Sequence, residues 1–440
     1  MLAAAGYTAD TVITAGTSSR PVATARPAQA PASPAPARAT LVLITLYGGN
    51  DGLNMVVPYA DPTYAAVRPS LAVTDPIHLN DALGLHPALT GLKQTWDAGH
   101  LAIVLGVGYP DPNLSHFRSM DIWQSAVPET DVGTGWLGRW LDGQRHDPMR
   151  ALSLGPTLPL LLQGAHAAAS AIPTGRLTLP GGDRVASLLT TMGGSYGGEP
   201  VLATEVAASG ADLLTVLHDV SAILAAQPPA DDATGDQSLE PAATTAGATS
   251  SGGAGSSTAG ATSSGGAASS TPGATSSGGS ASSAGGALGA QLDVVARLVN
   301  GGAPTQLYSV SLGGFDTHAD EKSNHDRLMG ELDAAITSFL AAVAGKPGVV
   351  VATYSEFGRR VASNASGGTD HGTAAPLFVA GTGVKGGFYG TQPSLTNLDQ
   401  GNLTFSTDFR SVYATLAEKV LGVEPASVLN GASFAPLPFL

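Results

Sequence analysis

The chain contains no cysteine, which excludes disulfides, thiolate nucleophiles and cysteine-ligated zinc. Basic residues are few: 20 Lys and Arg stand against 34 Asp and Glu, a formal net charge of −14. With no Lys/Arg-rich run there is no footprint for nucleic acid or an anionic membrane surface, and neither is expected as a partner. No unbroken run of about 18 apolar residues occurs either, so no membrane span is expected. Two stretches hold very few large apolar residues. Residues 1–38 are rich in Ala, Pro, Thr and Ser, and residues 227–288 are almost wholly Gly, Ser, Ala and Thr. The second stretch holds three tandem units, "AGATSSGGAGSST", "AGATSSGGAASST" and "PGATSSGGSASSA". With so little to bury, neither can offset the entropy of being ordered, so a disordered tail (1–38) and a disordered insert (227–288) are expected.

The remainder, 39–226 and 289–440, reads as a single domain. Short apolar runs, "TLVLITLY", "LAIVLGVGY", "QLYSVSL", "GVVVATY" and "PLFVAG", alternate with helical patterns such as "ALTGLKQTWDAG", "DRLMGELDAAITSFLAAVAG" and "DFRSVYATLAEKVLG". Helical patterns also flank the insert, "EVAASGADLLTVLHDVSAILA" before it and "LGAQLDVVARLV" after it. Fully apolar strands separated by helices imply an α/β fold, with a mostly parallel sheet sandwiched between helices. In such sheets the reactive groups gather in loops at strand ends.

Those ends are rich in metal-ligating side chains. The first strand runs into "GGNDG" with Asn50 and Asp51, and the second into "PDPNLSHFRSMD" with Ser115, His116 and Arg118. "QLYSVSL" ends in "GGFDTH" with Asp316 and His318, "GVVVATY" in "SEFGRR" with Glu356, and "GGTDHG" before "PLFVAG" carries Asp370 and His371. Carboxylates and imidazoles without sulfur suit a divalent ion such as Zn, Mn, Mg or Ca. Each group alone has a plainer reading. Asp51 could close an Asx-turn, and Ser115 could cap the helix "HFRSMDIWQSA", as Asp408 is expected to cap "FRSVYATL". Glu356 could pair with Arg359 or Arg360. His86 and His116, on helical or loop patterns, are expected to have packing roles. The recurrence at successive strand ends is what favours a shared site, with Asp51, Asn50, Asp316, His318, Glu356, His371 and Asp370 as metal ligands.

The segments "GGNDGLNMVVPY", "PDPNLSHFRSMDIWQSA", "GWLGRWLD", "VSLGGFDTHADE", "TYSEFGRRVASNASGGTDHGTAAPLFVAG" and "STDFRSVYATLAEKVLG", in this order, resemble the family catalogued as domain of unknown function 1501. That family is grouped with the alkaline phosphatase and sulfatase superfamily, whose enzymes hold one or two divalent metals at sheet carboxyl ends and activate a Ser, Thr or formylglycine nucleophile. The resemblance implies an alkaline phosphatase-like core. It places Asp51 where the superfamily has its first-strand Asp, and Ser115 where the nucleophile stands. Asp316, His318 and His371 match metal ligands, and Glu356 matches the Asp of an Asp-His pair. Members are typically exported by a twin-arginine signal, so a secreted or periplasmic location is expected.

Some positions depart from that pattern. Asp316 and His318 are more closely spaced than the corresponding pair in the phosphatases, and Phe357 stands where a paired His is expected. The sulfatase Cys-x-Pro-x-Arg setting is also missing. Two readings follow. One is an exported metal-dependent hydrolase of phosphate or sulfate esters acting on a small-molecule substrate through Ser115 or an activated water, with Arg118 steadying the ester oxygens. The other is a non-catalytic exported surface or assembly protein that keeps the fold.

Overall fold

The computed structural model describes residues 39–155, 157–175, 177–179, 181–193, 201–227 and 284–440. The expected tail and the tandem units of the expected insert lie outside the described residues. Gly286–Leu288, at the insert's expected far edge, already belong to a helix.

The main sheet has nine strands: β1 (Thr40–Leu46), β2 (Leu101–Gly108), β3 (Ala151–Leu154), β4 (Ser170–Ile172), β5 (Leu307–Leu312), β6 (Val349–Tyr354), β7 (Ala375–Ala380), β8 (Gly387–Tyr389) and β9 (Thr407–Asp408). Their order is β8-β2-β7-β6-β1-β5-β3-β4, with β9 also on β2. The strand β1 is central and parallel to both neighbours, Ile44 lying opposite Val310 of β5 and Thr353 of β6. All pairings are parallel except those of β7, which runs antiparallel to β2 and to β6. The fold is therefore α/β with a mixed, mostly parallel sheet.

The sequence of β1, apolar but for Thr40 and Thr45, is explained by its two covered faces. Val42, Ile44 and Leu46 pack among α1 (Thr90–Asp97), α6 (Gly286–Asn300) and α7 (Glu321–Ala342). Leu41 and Leu43, pointing the other way by the period of two, pack among α2 (His116–Ser125), α3 (Trp136–Asp142) and α8 (Phe409–Lys419). Each fully buried Leu, Ile or Val contributes roughly 1.5–3 kcal/mol, so a polar residue in place of any of these five would weaken one of the two cores.

The helices α4 (Gly182–Met192) and α5 (Val201–Ala226) lie before the repeats. The segment Ala203–Ala226 is long and apolar enough to cross a membrane by length and composition. Its Val216 and Val220 are buried in the same core as α6, and Arg297 of α6 donates to the Leu224 carbonyl at 2.7 Å.

The strand directions refine the sequence reading. Loops following β1, β2, β5 and β6 leave from carboxyl ends, whereas the loop carrying His371 enters the amino end of β7. Because β7 is antiparallel, that loop arrives at the same edge of the sheet. Five adjacent strands, β2-β7-β6-β1-β5, thus deliver their loops to one place.

Candidate functional site

At this edge the donor atoms of His116, Asp316 and His371 all lie within 4.8 Å of one another. His116 opens α2 just past β2, Asp316 follows β5, and His371 precedes β7. His318 joins them: its Nε2 is 2.9 Å from His371 Nε2 and 3.0 Å from an Asp316 carboxylate oxygen.

Each imidazole is oriented from behind. Glu356, buried after β6, accepts from His116 Nδ1 at 2.8 Å and from the Gly48 amide at 2.8 Å through the same oxygen. That fixes His116 with its proton on Nδ1 and its Nε2 lone pair facing the cluster, where Nε2 is buried without a hydrogen-bond partner. His371 donates from Nδ1 to the Leu114 carbonyl at 2.8 Å, which leaves its Nε2 free toward Asp316. Asp370 Oδ1 stands 3.5 Å from His318 Nδ1. This back-side bonding by a carboxylate or carbonyl is how proteins set the tautomer of metal-binding histidines.

Asp316 is half exposed and fixed by Arg359, whose Nη2 donates to Oδ1 at 2.8 Å. Arg359 is fully buried and also donates to the carbonyls of Gly49, Thr369 and Phe315 at 2.7, 2.8 and 2.9 Å. One guanidinium thereby ties together the loops after β1, β5 and β6. Burial opposes the Asp316 charge, but the Arg359 hydrogen bond and charge, with His116 and His318, carry its carboxyl down to about 2. The Glu356 hydrogen bond raises the His116 pKa, and burial lowers that of His371. A charged carboxylate and a neutral His371 are the forms that bind a cation.

The glycines of "GGND" allow this close stacking. Gly48 has φ +115°, and a Cβ there would sit 2.4 Å from the Asp316 amide nitrogen. At Gly49, with φ +73°, it would sit 2.4 Å from the ring of Phe357. That ring packs on His116 and His371, with centroids 4.9 and 4.8 Å apart. Phe357, standing where a histidine was expected, therefore forms an apolar wall for two imidazoles.

The sequence-derived residues separate into two groups. Asp316, His318 and His371 are brought together; Glu356 and Asp370 lie behind the imidazoles. Asp51 and Asn50 belong to a different, buried network. Asp51 is bound by the Arg68 guanidinium, and Asn50 Oδ1 meets His325 Nε2 at 3.1 Å. Arg68 is itself fully buried and donates to the Val361 and Arg360 carbonyls, each at 2.7 Å. Ser115 is exposed at the start of α2, beside His116, and its hydroxyl makes no hydrogen bond among the described residues. Arg118 turns away and donates to the Pro128 carbonyl at 3.1 Å. The guanidinium at the cluster is that of Arg359, which pairs with Asp316 and not with Glu356. His116 is the residue to which sequence reasoning gave a packing role; its place at a strand end, next to Ser115, was the available signal.

The donor set fits a metal ion: His116 Nε2, buried without a hydrogen-bond partner, His371 Nε2, His318 Nε2 and the Asp316 carboxylate converge from three loops. Three imidazoles and one carboxylate suit a borderline ion such as Zn or Mn better than Mg or Ca, which prefer oxygen. Glu356→Gln, which weakens the back-side bond to His116, is expected to lower affinity for Zn about 10–100-fold by calorimetric titration.

No curated protein matches the chain. Among solved structures it is similar to the alkaline phosphatase from the Antarctic bacterium TAB5, with a TM-score of 0.33 and 11% identity over 80% of this chain and 95% of that one. Residues 211–426 match the model of the family described as Protein of unknown function (DUF1501).

Proposed function

We propose that the protein is an exported, metal-dependent hydrolase of phosphate or sulfate esters. The observation that carries this reading is the convergence of His116, Asp316 and His371 at the loop-bearing edge of the sheet, each imidazole oriented from behind. The residue-by-residue resemblance to the phosphatase and sulfatase superfamily supplies the reaction class. His116, Asp316 and His371, with His318 beside them, would hold one divalent ion. Bound there, such an ion supplies positive charge that polarises an ester oxygen and acidifies a neighbouring hydroxyl or water.

The chain's own groups do the rest. Glu356 and the Leu114 carbonyl keep the two imidazoles pointed inward. Arg359 keeps Asp316 ionised and immobile. Ser115, exposed and unbonded at the start of α2, accepts the phosphoryl or sulfuryl group: its Oγ bonds to phosphorus or sulfur while the bond to the alcohol breaks. The hydroxyl proton leaves with the alcohol, and water then cleaves the Ser115 ester. A small-molecule ester substrate and a secreted or periplasmic location belong to the same proposal, and a chain without cysteine suits export because it cannot form wrong disulfides.

The test is turnover of aryl phosphate and aryl sulfate by the purified chain supplied with Zn, Mn, Mg or Ca. Metal-dependent turnover that His371→Ala abolishes is expected. Turnover indifferent to both His371→Ala and Asp316→Ala contradicts the reading. Stoichiometric metal without turnover of any ester tested favours the assembly role instead.

A further inference from the structure

A separate cleft lies at the other end of the sheet. A cleft of about 540 Å³ opens between α1, the later turns of α7 and the loop after β7, and Val349, the first residue of β6, forms part of its floor. The strand β6 spans six residues, which at about 3.3 Å each puts this cleft ~20 Å from the His/Asp cluster. Its size falls within the range of small-molecule sites.

The two walls are locked together before any ligand arrives. Asp333 of α7 is buried and accepts from the Gly91 and Leu92 amides of α1 at 2.9 and 2.7 Å. Both of its oxygens are thus engaged, and Lys346 donates to the Asn300 carbonyl at 3.3 Å. The cleft has one carboxylate and one ammonium, each already engaged, and so presents no excess charge.

What it does present is unspent neutral polarity. Thr90, Gln94 and Thr382 line it, and their side chains make no hydrogen bond among the described residues. His100 Nδ1 is buried there without a partner. Thr95 and Thr337 spend their hydroxyl protons on the Gly91 and Asp333 carbonyls of their own helices, leaving oxygen lone pairs as acceptors. Leu340 and Val343 supply an apolar patch among these groups. Paired donors and acceptors beside an apolar patch match the two aspects of a sugar ring, its hydroxyl edge and its C–H face.

We infer that this cleft binds a neutral saccharide of one or two rings, at a site separate from the metal cluster. Each unpartnered group gains a hydroxyl partner, and the absence of free charge disfavours anions such as phosphate or sulfate. The inference stands whether or not the distant cluster hydrolyses esters.

The test is saturation-transfer NMR and calorimetry of the full chain with glucose, N-acetylglucosamine, maltose and cellobiose. At least one is expected to bind saturably. Gln94→Ala and Thr382→Val should each weaken that binding about tenfold, near the loss of one or two hydrogen bonds, while His371→Ala leaves it unchanged. Gln94 is exposed, so its replacement leaves the fold intact, as a thermal melt will verify. The inference is overturned if none of the four sugars binds saturably, if binding survives both cleft substitutions undiminished, or if His371→Ala removes it.

Discussion

Arg68→Met is expected to destabilise the protein by about 3–5 kcal/mol, the cost of leaving a buried charge without its partner. Arg68 and Asp51 are 0% and 1% exposed and face each other as an ion pair. The same guanidinium also satisfies the Asn54 side chain at 3.1 Å and the carbonyls of Arg360 and Val361. Removing it takes a donor from these three acceptors and leaves the Asp51 charge unpaired. Urea denaturation of the wild type and of Arg68→Met measures the loss. The double variant Arg68→Met with Asp51→Asn should recover part of it, because the uncompensated charge is then gone. A loss below about 1 kcal/mol, the size expected for an exposed pair, would show that Asp51 is not held as described. The result also separates the two roles open to Asp51, since a metal ligand would be rescued by added metal and a structural ion would not.

The second large effect is a pH dependence, and it arises from Glu321. This residue opens α7, is fully buried and lies against Asp51, with Thr369 Oγ1 donating to its Oε2 at 2.5 Å. Burial, and next the negative charge of Asp51, push the Glu321 carboxyl up to about 9. Burial opposes the charge on Asp51 too, but the Arg68 guanidinium outweighs it and holds that carboxyl below the usual range. His325, buried beside them, is driven by burial down to about 4 and is neutral. At neutral pH the network therefore contains Asp51 as carboxylate, Arg68 as cation and Glu321 as the acid, its proton shared with Asp51.

Because Glu321 keeps its proton when folded but releases it near 4.5 when unfolded, its contribution to stability is complete below about pH 4.5 and is lost as pH rises toward 9. Glu321→Gln keeps a hydrogen-bond donor toward Asp51 and cannot ionise. Relative to wild type, the variant should gain stability with rising pH by up to about 1.4 kcal/mol per unit between pH 5 and 9. Unfolding free energies of the two proteins at several pH values give this difference directly. Parallel curves would mean that Glu321 titrates normally, and a variant that loses ground as pH rises would reverse the sign.

Much of the fold was legible because its signals are local. The run "TLVLITL" has no polar face, which requires cover on both sides and predicts a central strand. The five strand candidates became β1, β2, β5, β6 and β7 within a residue or two at their ends. The direction of β7 was not legible, since an apolar hexamer reads alike in either orientation, yet that direction explains why His371 meets the other loops.

The site was legible in its location and only partly in its membership. Asp316, His318 and His371 sit in glycine-rich loops where helical packing does not compete for them. His116 was obscured because it also begins the helical pattern of α2, where a histidine ordinarily packs. Asp51 looked equally like a ligand because its counter-ion, Arg68, approaches from a loop after a separate helix, Pro62–Val67, and nothing in the local sequence announces the pairing. Glu356 was recognised as part of the site, but whether a carboxylate touches an ion or the back of an imidazole depends on angles that residue order does not carry.

The most direct measurement is the metal content of the purified chain after saturation with Zn and gel filtration, compared across wild type, His116→Ala and His371→Ala. One tightly bound ion per chain, lost from both variants while their circular dichroism is unchanged, is the result predicted by a site built on His116, Asp316 and His371. A wild type that retains no ion, or variants that retain it in full, would contradict the metal centre on which the proposed function rests.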